Sequence, residues 1–374
     1  MFGRLLSRDY PGNGLLTALA GALVVAMVAA PFLGWGPSVL NLLVKVAIYS
    51  ILVASFDLML GYTGIISFAH TMFFGLGAYG VAIGSRLLGP GWTSMALGLV
   101  SALVLSVALA VLIGLFSMRV RTIFFAMITL AVATVFSVLV TQFHGITGGQ
   151  DGILFRVPRE LTAAFRPFTL FGTQVNGVVL SYFLILFASA ILFCAMLRIV
   201  NSPFGRVLQA IRENEFRAEA LGFSVLSHRL AIGALAAIFA CLAGGLNAIW
   251  LRFISPDVTL SLQIMLDILL IVVIGGMGTL YGALIGAGLF VIAENYLMQV
   301  IQYTADAFGN VPLVSILVQP QRWMFWLGIL FVLSVYYFPE GVVGRLRDWT
   351  KSRAKLGLDG ETLEASTTIT SADV

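Results

Sequence analysis

Charged side chains are scarce in this sequence. Asp, Glu, Lys and Arg make up 10% of its 374 residues, where soluble chains carry about 25%. The three lysines are Lys45, Lys351 and Lys355, and none follows a Gly-x-x-x-x-Gly pattern. The chain therefore has no loop of the kind that cradles nucleotide phosphates. Its two cysteines, Cys194 and Cys241, lie inside apolar segments and read as packed thiols. The three histidines, His70, His144 and His228, fall far apart and at different levels, which argues against a metal site. There is no Gly-x-Ser-x-Gly elbow and no visible nucleophile–base pair, so an intramembrane enzyme is disfavoured.

In place of charge the chain has 60% hydrophobic residues and a mean hydropathy of +1.02. Apolar runs of 18 or more residues recur along it, the pattern of a polytopic membrane protein. The fold class expected is an all-α bundle of about ten transmembrane helices, with nine possible. Their approximate limits are 15–33, 38–60, 64–85, 94–117, 122–143, 176–199, 228–250, 260–275, 281–300 and 322–338. The eighth is short and reads as broken or re-entrant. Arg4 and Arg8 before the first run imitate a signal peptide, but its length and the runs that follow favour an uncleaved span.

The net charge of +4 does not point to nucleic acid, because Lys and Arg collect in the cytoplasmic loops of membrane proteins. With both termini inside, 14 basic residues face the cytoplasm and 6 face outward, leaving Lys45 within a span. The organisation expected is a cytoplasmic N-terminus (1–14), a membrane-spanning helical domain (15–340) and a polar, partly disordered cytoplasmic tail (341–374). Outside loops cover 144–175 and 301–321, and the glycines of Ile146–Gly152 mark a turn. A five-plus-five division of the spans would place the two halves in opposite orientations, as an inverted repeat does.

One polar island interrupts the apolar chain: Ser202–Gly222, SPFGRVLQAIRENEFRAEALG. Ser202 can cap a helix with Pro203 at its first position. Phe204, Val207, Leu208 and Ile211 then form a stripe at i, i+3, i+4 and i+7. Asn214 can cap a second short helix that Gly222 ends. The stripe could rest on the spans or enter a partner's groove. Contact with lipid headgroups explains the arginines but not three glutamates, which anionic lipid repels. A protein partner explains Arg206, Arg212, Glu213, Glu215, Arg217 and Glu219 together.

With four sequence blocks in order, the chain resembles the permease subunits of ATP-binding-cassette importers for branched-chain amino acids, of the LivM type. The blocks are Leu60–Tyr79, Ile146–Ile153, Ser202–Phe223 and Gly275–Ala287. The resemblance runs from about residue 40 to 340; the stretch 155–172 and the tail fit it less well. It implies a LivH-type permease partner, two cytoplasmic ATPase subunits carrying ATP and magnesium, and a periplasmic solute-binding protein, all at a bacterial inner membrane. It gives this chain no cofactor of its own. Ser202–Gly222 would then be the ATPase-coupling segment, with Phe204, Ile211 and Asn214 among its contacts. Branched-chain amino acids, other amino acids, urea and amides all remain possible substrates.

Ionisable groups inside spans cost ~2.5–3.5 kcal/mol at mid-helix and so invite functional readings. Asp267 and Glu294 are the best candidates for a polar lining or an interhelical hydrogen bond, followed by His70 and Asn247. Lys45, ~10 Å from the outer end of its span, can snorkel out. Asp57, near the cytoplasmic end, can pair or cap. Gly61, Gly64, Gly275, Gly276 and Gly278 serve close helix packing or an opened backbone along a pathway. A self-sufficient secondary transporter or channel, with Asp267 and Glu294 coupling protons, is the alternative reading.

Overall fold

The computed structural model describes residues 14–33, 36–117, 122–166, 168–170 and 173–308, with isolated positions between 325 and 341. Most of the expected tenth span, residues 309–321 of the second outer loop, the tail from 342, and Arg4, Arg8, Arg119 and Arg121 lie outside them. Helices dominate. In chain order they are α1 (Gly14–Ala29), α2 (Pro37–Thr63), α3 (His70–Leu88), α4 (Trp92–Ser117), α5 (Thr122–Gln142) and the single turn α6 (His144–Thr147). There follow α7 (Gly177–Val200), α8 (Pro203–Glu213), α9 (Glu215–Ala220), α10 (Val225–Leu251), the turn α11 (Pro256–Thr259), α12 (Leu262–Gly275) and α13 (Leu280–Phe308).

Eight helical segments among the described residues are long and apolar enough to cross a membrane, α11 and α12 counting together as Pro256–Gly275. The expected eighth span is thus a broken helix. The expected first span, α1, has 16 residues; at 1.5 Å each it reaches ~24 Å, short of a ~30 Å hydrocarbon core. α13 continues to Phe308, so residues 301–308 are helix where a loop was expected. The third expected span begins late. Residues 65–69 are not helical, and His70 is the first residue of α3 instead of lying several residues into a helix.

α2 is the axis of the bundle. From Leu43 to Thr63 nearly every residue is buried, because α7, α10, α12 and α13 surround it. α3 and α10 pack closely: a Cβ on Gly77 would meet the Cys241 carbonyl, and one on Gly244 the Phe74 carbonyl. These glycines serve packing. The outer faces of α4, α5 and α7 keep Leu97, Val104, Phe124, Met127, Val135 and Phe187 exposed, as a lipid-facing surface requires.

The expected outer loop 144–175 is a folded cap on the bundle end where α3 finishes. Gly148 ends α6 in the left-handed conformation, so the glycine-rich turn is present. Strand β1 (Ile153–Leu154) then pairs antiparallel with β4 (Phe253–Ile254), and β2 (Phe168–Leu170) with β3 (Thr173–Val175). Ile153, Phe155, Val157 and Leu161 are buried with Tyr79 and Ile249. Among the hydrogen bonds that fix the cap are those from Ser85 Oγ to the Arg156 carbonyl (2.5 Å) and from Arg252 Nη2 to the Leu161 carbonyl (2.8 Å).

Candidate functional site

A cavity of about 430 Å³ opens between α2, α3 and α10 toward the capped end. Its polar lining is Asn41, Lys45, Tyr49, Asn247 and Trp250. Lys45 does not snorkel to the surface. Its ammonium donates to Glu294 Oε2 on α13 at 2.6 Å, with both side chains partly accessible (32% and 22%). The Tyr49 ring sits under the same ammonium, 5.4 Å from its centroid, within cation–π range. Asp267 is a buried residue of α12. Its carboxylate accepts from the Gln263 amide one helical turn away, at 3.1 Å. Trp250 Nε1 donates to Asn41 Oδ1 at 3.1 Å.

The fold therefore brings two sequence candidates to Lys45: Glu294 as its ion-pair partner and Asn247 in the same cavity lining. His70 stays apart. It is fully buried, edge-on to Phe56 at 5.2 Å, and neither ring nitrogen has a hydrogen-bond partner among the described residues. A larger cavity, about 630 Å³ between α3, α4 and α5, is walled mostly by Leu, Ile, Phe and Gly and has no charged lining. It offers little to orient a polar solute.

At the other end of α2 a second polar knot forms. The buried Asp57 carboxylate accepts from the Gly278 amide at 2.9 and 3.1 Å, capping the turn between α12 and α13. Gly61 is inside α2, and Gly64 ends that helix with φ 73°. A Cβ on Gly61 would overlap the Gly278 backbone and Asp57. Gly276 follows the last residue of α12, Gly275, and Gly278 sits at φ 81°, which a side chain would strain. The glycines here permit two chain segments to touch.

The polar island docks on this knot. Ser202 Oγ caps α8 by accepting from the Gly205 amide, and Asn214 Oδ1 caps α9 by accepting from the Arg217 amide at 2.9 Å. The turn after α9 closes with Gly222 N–H to the Glu219 carbonyl (2.9 Å) and Phe223 N–H to the Ala218 carbonyl (3.1 Å), Gly222 having φ 88°. The apolar stripe of α8 lies on the spans: Leu208 and Ile211 are buried, and Phe204 stacks on His228 at 5.7 Å. The Arg212 guanidinium donates to the Gly61 carbonyl at the end of α2. Glu215 pairs with Arg229 on α10 through two bonds of 3.0 and 2.9 Å, so its charge is answered within the chain. Arg206, Glu213, Arg217 and Glu219 remain exposed. Among them stands Phe216, 86% exposed, which sequence reasoning passed over. Its signal was one aromatic residue inside a run otherwise polar or small.

A family model described as the branched-chain amino acid transport system permease component matches residues 38–335. The high-affinity branched-chain amino acid transport system permease protein LivM of Salmonella typhimurium is 28% identical over 317 residues, 80% of this chain and 73% of its own length. That of Escherichia coli is 28% identical over 318 residues, with the same coverage. A probable branched-chain amino acid transport permease protein LivH of Methanocaldococcus jannaschii is 28% identical over 216 residues, 57% of this chain and 62% of its own length. No solved structure matches the chain.

Proposed function

Because the chain belongs to the branched-chain amino acid permease family, whose members are multi-pass transport subunits and not enzymes, we propose that it forms half of the translocation path of an ATP-driven importer. Two ATPase chains, binding ATP and magnesium, would supply the energy that this chain cannot capture itself. A LivH-type permease would complete the path, and likeness to a LivH protein as well as to LivM proteins supports that pairing. An extracytoplasmic binding protein would deliver a branched-chain or related amino acid. On this reading the α8/α9 end faces the cytoplasm of a bacterial inner membrane, as the basic-residue bias supports, and both termini lie on that side.

One observation carries the coupling role: α8 is anchored to the α2 terminus through Arg212 while Glu213, Phe216, Arg217 and Glu219 stay exposed. A partner that grips the exposed face moves the axis of the bundle. Reconstitution with the ATPases, second permease and binding protein tests this through ATP-dependent uptake. Replacing Arg212 and Glu213 together is expected to leave ATP hydrolysis running while transport fails. Undiminished uptake in that variant removes the coupling role. Gradient-driven flux by the purified chain alone would instead favour a self-sufficient transporter or channel.

A further inference from the structure

We infer that the cavity beside Lys45 is a subsite for a free aliphatic α-amino acid within this chain, with the ligand's carboxylate on the Lys45 ammonium. The inference rests on the amino acid permease reading and adds to it a place and a discriminating group.

Lys45 lines the cavity with its ammonium incompletely used. Glu294 takes one of its three N–H donors, and no other hydrogen bond to Nζ forms among the described residues. A carboxylate entering the cavity can take the free donors without breaking the pair. Placing an ion pair inside an apolar bundle adds little stability, since desolvation offsets the attraction. Such a pair left ajar beside a cavity fits a ligand role better than a structural one. The neutral acceptors Asn41 and Asn247 stand in the same lining and can receive the ligand's ammonium. Ile48, Phe74, Leu251 and Val258 give the remaining wall an apolar surface for an aliphatic side chain. The volume, about 430 Å³, lies in the range of small-molecule pockets. Urea and short amides have no carboxylate for Lys45, so the site discriminates against them.

Binding of tritiated leucine to the purified transporter complex, with no binding protein present, tests the subsite. Saturable binding is expected, displaced by valine and isoleucine but not by urea. The exchange variant Lys45→Glu/Glu294→Lys restores an ion pair across α2 and α13 but moves the cation away from the cavity lining. It is expected to bind leucine at least tenfold more weakly while the complex still assembles and hydrolyses ATP. Full leucine binding in that variant would show that the pair is only structural, and overturns the inference. Asn247→Leu leaves the pair intact, so it serves if the exchange variant fails to assemble; binding weakened about tenfold supports the subsite, and unchanged binding overturns it. A wild-type complex that transports leucine yet binds none in this assay also overturns the subsite alone. A wild-type complex that transports no branched-chain amino acid sinks the functional reading beneath it.

Discussion

Two of the polar contacts made by α2 reach the α12–α13 segment, and they differ in kind. Near one end the Asp57 carboxylate, 1% exposed, holds a backbone amide of the α12–α13 turn. About 18 Å along the same helix, the Lys45 ammonium meets the Glu294 carboxylate, with both side chains partly accessible beside a cavity. The first contact has no second position to move to, because its acceptor is buried and its donor is main chain. The second joins two jointed side chains, and its partners can be shared with something else. One is a fixed joint and the other is open to exchange.

Substitutions at the two contacts should separate these roles, and thermal stability of the purified complex ranks them. Gly61→Val drives a side chain into the Gly278 backbone and Asp57. It is expected to cost about 3 kcal/mol or more and to leave little folded protein in the membrane. Asp57→Ala orphans the partly buried Gly278 amide and should cost about 1–3 kcal/mol, with Asp57→Asn, which keeps an acceptor, costing less. Equal losses for the two Asp57 variants would mean that charge, not amide capping, holds the joint. The double variant Lys45→Met/Glu294→Gln removes a pair without stranding either charge. Its melting temperature should move little, and a collapse there would make the second contact as structural as the first. Phe216→Ala touches neither contact. Stability should stay within about 0.5 kcal/mol while retention of the ATPase subunits on the complex falls; unchanged retention removes Phe216 from the docking face.

Local features of this fold are legible along the chain, and distant ones are not. Ser202, Pro203, Asn214 and Gly222 mark the ends of α8 and α9 because capping acts within three or four residues. The apolar runs give the spans for the same reason. The break before α3 escapes notice because residues 65–69 are mostly apolar or small, like the helices on either side. Lys45 reads as a snorkelling side chain until the fold sets Glu294 beside it, 249 residues away. The β1–β4 pairing joins residues a hundred positions apart in strands of two residues, too short to show alternation. Asp57 can be read as a cap, but the amide it caps is 221 positions on. Asp267, Glu294 and Asn247 stand out as polar residues in apolar helices, whereas the pairing of Glu294 with Lys45 and the place of Asn247 in the cavity wall depend on how α2, α10 and α13 cross.

If α8 and α9 couple the chain to an ATPase as proposed, the hold of Arg212 on the Gly61 carbonyl would make α2 a lever with its short arm in the α8/α9 segment. From Gly61 to Lys45 the helix runs roughly 24 Å. A tilt of about 5° at the lower end sweeps the Lys45 backbone sideways by roughly 2 Å over that length, comparable to the difference between a made and a broken ion pair. On that reading a nudge on an exposed surface helix would become a change of grip on the far side of the bundle, with no part of the axis itself needing to bend.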